Sequence, residues 1–241
     1  RDLFGHFPSD RFPLLTKILD ANADLSVQVH PDDEYAKTHE GGEFGKTECW
    51  YIIDCKPGAQ LIYGHHAETK DELRAMMEAG EWDRLLRKVP IHPGDFFYVP
   101  SGTIHALCEG TLVLETQQSS DTTYRVYDYD RVDSQGRKRE LHLEKALDVT
   151  TVPHRDTDVR PHVADMPGAT VTTFVEGDYF GVQKWNVRDE VEWEQTKPFL
   201  IVSILQGEGE LAHGERIYPI RQGDHFILPH QFGRFAIHGS L

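Results

Sequence analysis

GDFFYVPSGTIHAL, from Gly94 to Leu107, is the stretch from which the rest of the chain is best read. Gly94 tolerates positive φ and Asp95 can bond its own backbone, so the pair predicts a tight turn. Phe96, Phe97, Tyr98 and Val99 have strong β propensity and predict a strand. Pro100 ends ladder pairing, and Gly102 lets the backbone bend sharply. Ile104, His105, Ala106 and Leu107 then resume an extended apolar run, in which His105 is the polar residue. A lone histidine in such a run is ordinarily an incidental member of the core.

Upstream, LSVQVHPDD runs from Leu25 to Asp33. Leu25, Val27 and Val29 alternate with Ser26, Gln28 and His30, so Gln28 and His30 share one face of a strand. One reading is an amphipathic edge strand with its polar face in solvent. The other is that Gln28 and His30, at a strand end just before Pro31, converge on one ion. Lys46 and Glu48 stand two residues apart ahead of the β-rich run Trp50 to Cys55, and share a face if extended. Lys56-Pro57-Gly58 predicts a turn, and Gln60 to Tyr63 the returning strand. Asp10 to Asp24 reads as a strand entering a loop, and Asp32 to Lys46 as a loop or short helix.

Between His66 and Val89 the period changes. Leu73, Met76 and Met77, then Trp82, Leu85, Leu86 and Val89, fall at helical spacing. Thr69 with Glu72 forms a capping-box signature, and Gly80 separates two short helices. The methionine and aromatic stripe is expected to be core packing, so residues 66–89 are expected to be a helical insertion between strands. Thr111 to Thr116 predicts another strand, followed by the polar run ETQQSSDTTYR. Asp128, Asp130 and Asp133 do not match the EF-hand spacing, and a polar hairpin around Asp133 to Gly136 is the better reading. Leu143 to Val149 predicts a short helix. Val152 to Pro167 holds three prolines and reads as a linker. Beyond it, Thr170 to Ile237 is β-patterned and weakly repeats the first half. Gly223, Asp224 and Pro229 match Gly94, Asp95 and Pro100. Arg234 falls where His105 stands, and Phe199 to Leu205 answers to Trp50 to Cys55 without a preceding carboxylate.

The chain has 241 residues, of which 39% are hydrophobic, enough for a packed core. Its formal net charge of −15 argues against nucleic acid or an anionic membrane as a partner. No apolar run reaches the roughly 18 residues of a spanning helix, and the N-terminal RDLFGHFPSD has no signal-peptide core. Cys49, Cys55 and Cys108 have no metal-type spacing and are expected to be reduced thiols of a cytoplasmic protein. The first half therefore offers Gln28, His30, Glu48 and His105, and imidazole and carboxylate are standard ligands of zinc, iron and other divalent ions.

The spacing from Gly94 to His105 resembles the second conserved motif of the cupin barrels, G-x5-P-x-G-x2-H. Glu109 stands in place of that motif's terminal Asn. On this resemblance His105 is weighted towards a metal-ligand role. QVHPDD, GKTECWYI, GDFFYVPSGTIHAL and ETQQSSDTTYR together resemble the type I mannose-6-phosphate isomerases, particularly their short bacterial form, over essentially the whole chain. The resemblance implies a mainly β fold of two cupin (jelly-roll) barrels. Residues 1–150 would form a metal-binding barrel with the insertion at about 66–89, residues 151–169 a linker, and residues 170–241 a second barrel without metal ligands. It implies one zinc ion per chain on Gln28, His30, Glu48 and His105. It places an active-site arginine on Arg125, a lysine near the metal on Lys46, and an aspartate on Asp121. On spacing alone, Arg125 would instead be expected in a salt bridge with Asp121 or Asp128. The family carries further strands before the position of Arg1 and one after Leu241, so open sheet edges are expected here. The implied activity is interconversion of mannose 6-phosphate and fructose 6-phosphate through an enediol, with a small sugar phosphate as partner. An iron cupin dioxygenase and a non-enzymatic sugar-binding cupin are the competing readings.

Overall fold

The computed structural model describes residues 3–5 and 10–241. Residues 1, 2 and 6–9 of the expected first domain lie outside the described residues. The expected mainly β architecture is what is found. Two compact units divide the chain: Leu14–Asp158, and Val159–Leu241 together with the described residues up to Pro13.

In the first unit the elements are β1 (Leu14–Ala21), β2 (Val27–Val29), α1 (Asp33–His39), β3 (Glu48–Cys55), β4 (Gln60–His65), α2 (Lys70–Ala79), α3 (Trp82–Leu85), β5 (Leu86–Pro90), β6 (Phe96–Val99), β7 (His105–Leu107), β8 (Thr111–Gln118), β9 (Tyr124–Tyr127) and α4 (Leu143–Val149). They build a four-stranded sheet, β1-β8-β3-β6, and a five-stranded one, β5-β4-β7-β2-β9. The strand pairs of both sheets are antiparallel.

The five-stranded sheet is covered on both faces. Val27, Val29, Ile62, Ala106, Tyr124 and Val126 pack with Leu73, Met76, Met77 and Leu85 of the helical segment and Ala146 and Leu147 of α4. The alternate residues Leu61, Tyr63 and Leu107 pack with Trp50, Ile52 and Val113 of the other sheet. Strand β2 is therefore an interior strand between β7 and β9, not an edge. Its apolar face meets helices, which leaves Gln28 and His30 to face the opposite way, towards the four-stranded sheet.

The helical insertion is shorter than expected. α2 starts at N-cap Thr69, whose side chain accepts from Glu72 N–H, and ends at Gly80 with φ 69°. α3 stops at Leu85, and Leu86–Pro90 is strand β5. Pro90 disfavours helix in the residue before it. β4 meanwhile offers a ladder, Leu61 opposite Val89 and Ile62 opposite Lys88. Leu85 and Leu86 fit either period, and this is why the spacing misled.

Lys70 at the start of α2 reaches the end of α4. Its Nζ donates to the carbonyls of Leu147, Asp148 (3.1 Å) and Thr150 (2.6 Å). A cation there satisfies end carbonyls and complements the helix dipole. Lys70→Met is expected to lower stability by about 1 kcal/mol, since the side chain is solvent-facing. Equilibrium denaturation at constant pH measures it.

The second unit contains β10 (His162–Met166), β11 (Ala169–Glu176), β12 (Gly181–Val187), β13 (Glu190–Glu194), β14 (Leu200–Ser203), β15 (Glu208–His213), β16 (Arg216–Arg221), β17 (His225–Leu228) and β18 (Arg234–Ser240). β10 lies inside the segment expected as a linker. The sheets are β10-β11-β12, β13-β18-β15-β16 and β14-β17.

The internal repeat extends to individual hydrogen bonds. Gly94 has φ 94° and Gly223 has φ 93°. Asp95 Oδ2 accepts from His92 N–H at 2.8 Å, and Asp224 Oδ2 from Arg221 N–H at 2.8 Å. Gly94 N–H donates to Ile52 O at 2.8 Å, and Gly223 N–H to Ile204 O at 2.9 Å. β3 pairs with β6 as β14 pairs with β17, Glu48 opposite Val99 and Leu200 opposite Leu228. Leu200 thus occupies the place of Glu48. Gln231 takes the place of Gly102 and keeps its positive φ, 63° against 82°. Arg234, in the place of His105, is exposed and pairs with Glu194 at 3.0 Å.

Candidate metal centre

The antiparallel ladders place the polar residues of the first unit in rows. Gln28 of β2 lies opposite His105 of β7 on one side and Arg125 of β9 on the other. Directly opposed residues share a face, so these three belong to one row. In the four-stranded sheet Lys17, Glu115 and Trp50 form a second row, and Gln117 with Glu48 a third.

The two sheets bring His30, Glu48 and His105 together. Among the described residues these three form a cluster able to hold a metal ion, their donor atoms all within 4.8 Å of one another. His105 Nε2 lies 3.1 Å from Glu48 Oε1, and His30 Nε2 lies 3.6 Å from Glu48 Oε2. All three residues are about 1% exposed. Yet His30 Nε2, His105 Nε2 and both Glu48 oxygens are buried without a hydrogen-bond partner. Four such atoms converging is costly unless something satisfies them.

The far side of each ring explains the arrangement. His30 Nδ1 is 2.9 Å from Thr122 O, and His105 Nδ1 is 2.8 Å from Thr103 O. A carbonyl can only accept, so each Nδ1 carries a proton, and each Nε2 is the ring nitrogen left to face the cluster. This is the outer-shell pattern of metal-binding histidines. Two donors about 2.0–2.1 Å from a tetrahedral ion stand roughly 3.3 Å apart, close to the observed separations. The residues present therefore fit a divalent cation.

Burial, then Lys46, holds the His30 pKa well below the ordinary imidazole value, against the pull of Glu48. Burial acts to raise the Glu48 pKa, while positive charge on His105, then on His30, and on Lys46 acts to lower it, and the carboxyl lies below its ordinary value. A charged carboxylate with a neutral imidazole suits a cation. His30 binds a proton more readily unfolded than folded. Its contribution to stability is therefore complete above about pH 6.5 and is lost as pH falls towards the depressed folded pKa. The metal-free protein is expected to lose roughly 1.4 kcal/mol per unit of pH below about 6.5 from this group. Thermal melts of metal-free protein from pH 8 to pH 5 measure it, and a flat profile counts against the buried neutral state.

The other sequence-predicted residues are placed as follows. Gln28 is half-buried at the centre of its row. Lys46 is buried, its Nζ 3.9 Å from Glu48 Oε2. Arg125 is half-buried, and its Nη1 donates to Glu140 O at 2.8 Å while its Nε is buried without a partner. The salt bridge open to Arg125 on spacing is not found among the described residues. Asp128 is taken by Arg131 and by Arg139, the latter at 2.6 Å. Asp121 is exposed, on the turn just before Thr122.

Sequence reasoning missed Lys17, Glu115 and Gln117. Glu115 is buried, with Lys17 Nζ at 3.0 Å on Oε1 and Trp50 Nε1 at 3.1 Å on Oε2. Lys17 Nζ also donates to Gln117 Oε1 at 2.5 Å. Burial, then the charge of Glu48, raises the Glu115 pKa against the opposing effect of Lys17. The signal lay in the alternation Val113, Glu115, Gln117, which puts these side chains on one face of β8.

Comparisons with known proteins show the family. Residues 1–69 match the family profile described as phosphomannose isomerase type I, catalytic domain. Residues 170–241 match that described as mannose-6-phosphate isomerase, cupin domain. The chain is 57% identical over 239 residues to mannose-6-phosphate isomerase ManA of Bacillus subtilis (strain 168), covering 99% of this chain and 76% of that protein. It is 54% identical over 241 residues to mannose-6-phosphate isomerase of Streptococcus mutans serotype c, covering 100% and 76%. The crystal structure of the mannose 6-phosphate isomerase from Bacillus subtilis superposes with a TM-score of 0.96 at 55% identity, over 100% of this chain and 76% of that one. By sequence and by fold, the chain belongs to the type I mannose-6-phosphate isomerase family of the cupin superfamily.

Proposed function

We propose that this chain interconverts mannose 6-phosphate and fructose 6-phosphate, with one zinc ion held by His30, Glu48 and His105 and with Gln28 as a further ligand. The observation that carries the reading is the set of buried, partnerless Nε2 and Oε atoms in a chain 57% identical to a named isomerase. Held by His30, Glu48 and His105, the ion would supply a Lewis acid for the sugar oxygens on which negative charge develops.

This chain's own residues account for the proton. A base removes the proton from C2 of the aldose, and its electron pair forms the C1–C2 double bond of an enediol as O1 gains a proton. Returning a proton to C1 while O2 loses one gives the ketose. Glu115 is suited to the transfer, because its raised pKa brings it nearer neutral pH. Lys46, buried 3.9 Å from Glu48, is placed to donate to a sugar oxygen. Arg125 offers a planar fork and an unpartnered Nε to a developing oxyanion or to the phosphate. Asp121, exposed on its turn, is available to a sugar hydroxyl. Water is limited by burial of His30, Glu48 and His105.

Two histidines and one carboxylate are also the donor set of non-haem iron oxygenases, which supports a second reading as a dioxygenase. Conversion of mannose 6-phosphate to fructose 6-phosphate by zinc-loaded protein tests the first reading. Oxygen uptake by iron-loaded protein, without isomerisation by either form, would replace it with the second.

A further inference from the structure

We propose that Trp50 is a positioning residue for the proton-transfer step, its indole N–H fixing one oxygen of Glu115 while its ring sets the plane of His105. The inference rests on the part given above to Glu115.

Trp50 lies in β3 and is 1% exposed. It stands directly opposite Glu115 of β8, and Glu115 stands directly opposite Lys17 of β1. The carboxylate is thus slung between its two neighbouring strands, Oε2 on Trp50 Nε1 at 3.1 Å and Oε1 on Lys17 Nζ at 3.0 Å. With one donor on each oxygen, the plane of the carboxylate is set. The indole also meets the His105 ring edge-on, with centroids 5.2 Å apart and planes at 68°. His105 is held from its other side by Thr103 O at 2.8 Å. One side chain therefore bridges the donor set and the acid–base group.

Packing alone does not require an indole. The neighbour of Trp50 on β6 is Phe97, in the same apolar cluster as Ile52, Leu61 and Val113. A smaller phenyl ring would keep the apolar contacts but leave a void where the indole's second ring sits. What tryptophan adds is the N–H, and that N–H is on Glu115. The charged groups facing Glu115 are Lys17 from β1, Glu48 from β3 and Lys46 just ahead of β3. Lys17 donates to Oε1, and among the described residues neither lysine donates to Oε2.

Removing the N–H leaves a buried carboxylate oxygen without a donor. This disfavours the charged form and moves the Glu115 pKa further up. The test is kcat/KM against pH for three proteins, with bound metal measured in each. They are the unaltered chain, Trp50→Phe, and the chain with 3-benzothienylalanine at position 50. The last keeps the bicyclic shape without the N–H, and stands in if the phenyl variant fails to fold. Both variants are expected to retain the metal, and the acid limb of their profiles to shift up by about one pH unit. Profiles that superimpose on the unaltered chain, with or without a lower Tm, would overturn the proposal. Glu115→Gln separates it from the reading beneath it. If that variant keeps full activity with metal bound, Glu115 is not the acid–base group. If it is inactive while both Trp50 variants leave the limb in place, the assignment of Trp50 alone fails.

Discussion

Arg125→Lys is expected to lower kcat by about 10² to 10³, with metal content and Tm near those of the unaltered protein. Lysine keeps the charge but not the planar fork, so an interaction made chiefly in the transition state is lost. The geometry makes a purely structural cost small. The Arg125 guanidinium bonds a backbone carbonyl, Glu140 O, and not a carboxylate, and its Nε has no partner to forfeit. Structural anchoring predicts the reverse, a lower Tm with nearly normal kcat in what remains folded. Steady-state kinetics and a melt on the same metal-loaded sample decide between the two, and an unchanged kcat removes Arg125 from the reaction.

His30→Ala is expected to have the largest effect on metal binding. One of three closely spaced donors disappears, together with the Nδ1 contact to Thr122 O that anchors the turn after β8. Outer-shell changes alone cost about 10- to 100-fold in affinity, so loss of a ligand should cost more than that. The stabilisation by added metal should vanish with it. Each 100-fold excess of ligand over its dissociation constant is worth about 2.7 kcal/mol, which the variant no longer gains. Competition titration with a coloured chelator measures the affinity, and melts with and without metal measure the linkage. A metal-dependent rise in Tm equal to that of the unaltered chain would exclude His30 as a ligand.

Most strands were legible because period-two runs ended at Gly, Pro and Asp turns. β6, framed by Gly94-Asp95 and Pro100, is the clearest case. α4 matches its predicted bounds, Leu143–Val149. Segment 86–89 was misread because Leu85 and Leu86 satisfy both periods, and only the open ladder of β4 decides between them. The polarity of β2 admitted the wrong sign for a physical reason. In an isolated sheet the polar face meets water, but here helices cover the apolar face and the polar face lines the interior. The same inversion hid Lys17 and Glu115. A charged residue alternating with apolar ones on a strand reads as solvated, until a facing sheet supplies its partner.

The repeated turn has a consequence for how such a chain can change over generations. The hydrogen bonds of Gly94-Asp95 recur at Gly223-Asp224, although His105 is answered by an exposed Arg234 and Glu48 by Leu200. The scaffold bonds use backbone groups and one aspartate, and none of them involves a ligand side chain. Chemistry can therefore be erased from one copy of the motif without unmaking its architecture. A saturation library selected for folding alone should tolerate few residues at Asp95 and Asp224 alike. Selected for growth on mannose as sole carbon source, the same library should become intolerant at position 105 and remain permissive at 234.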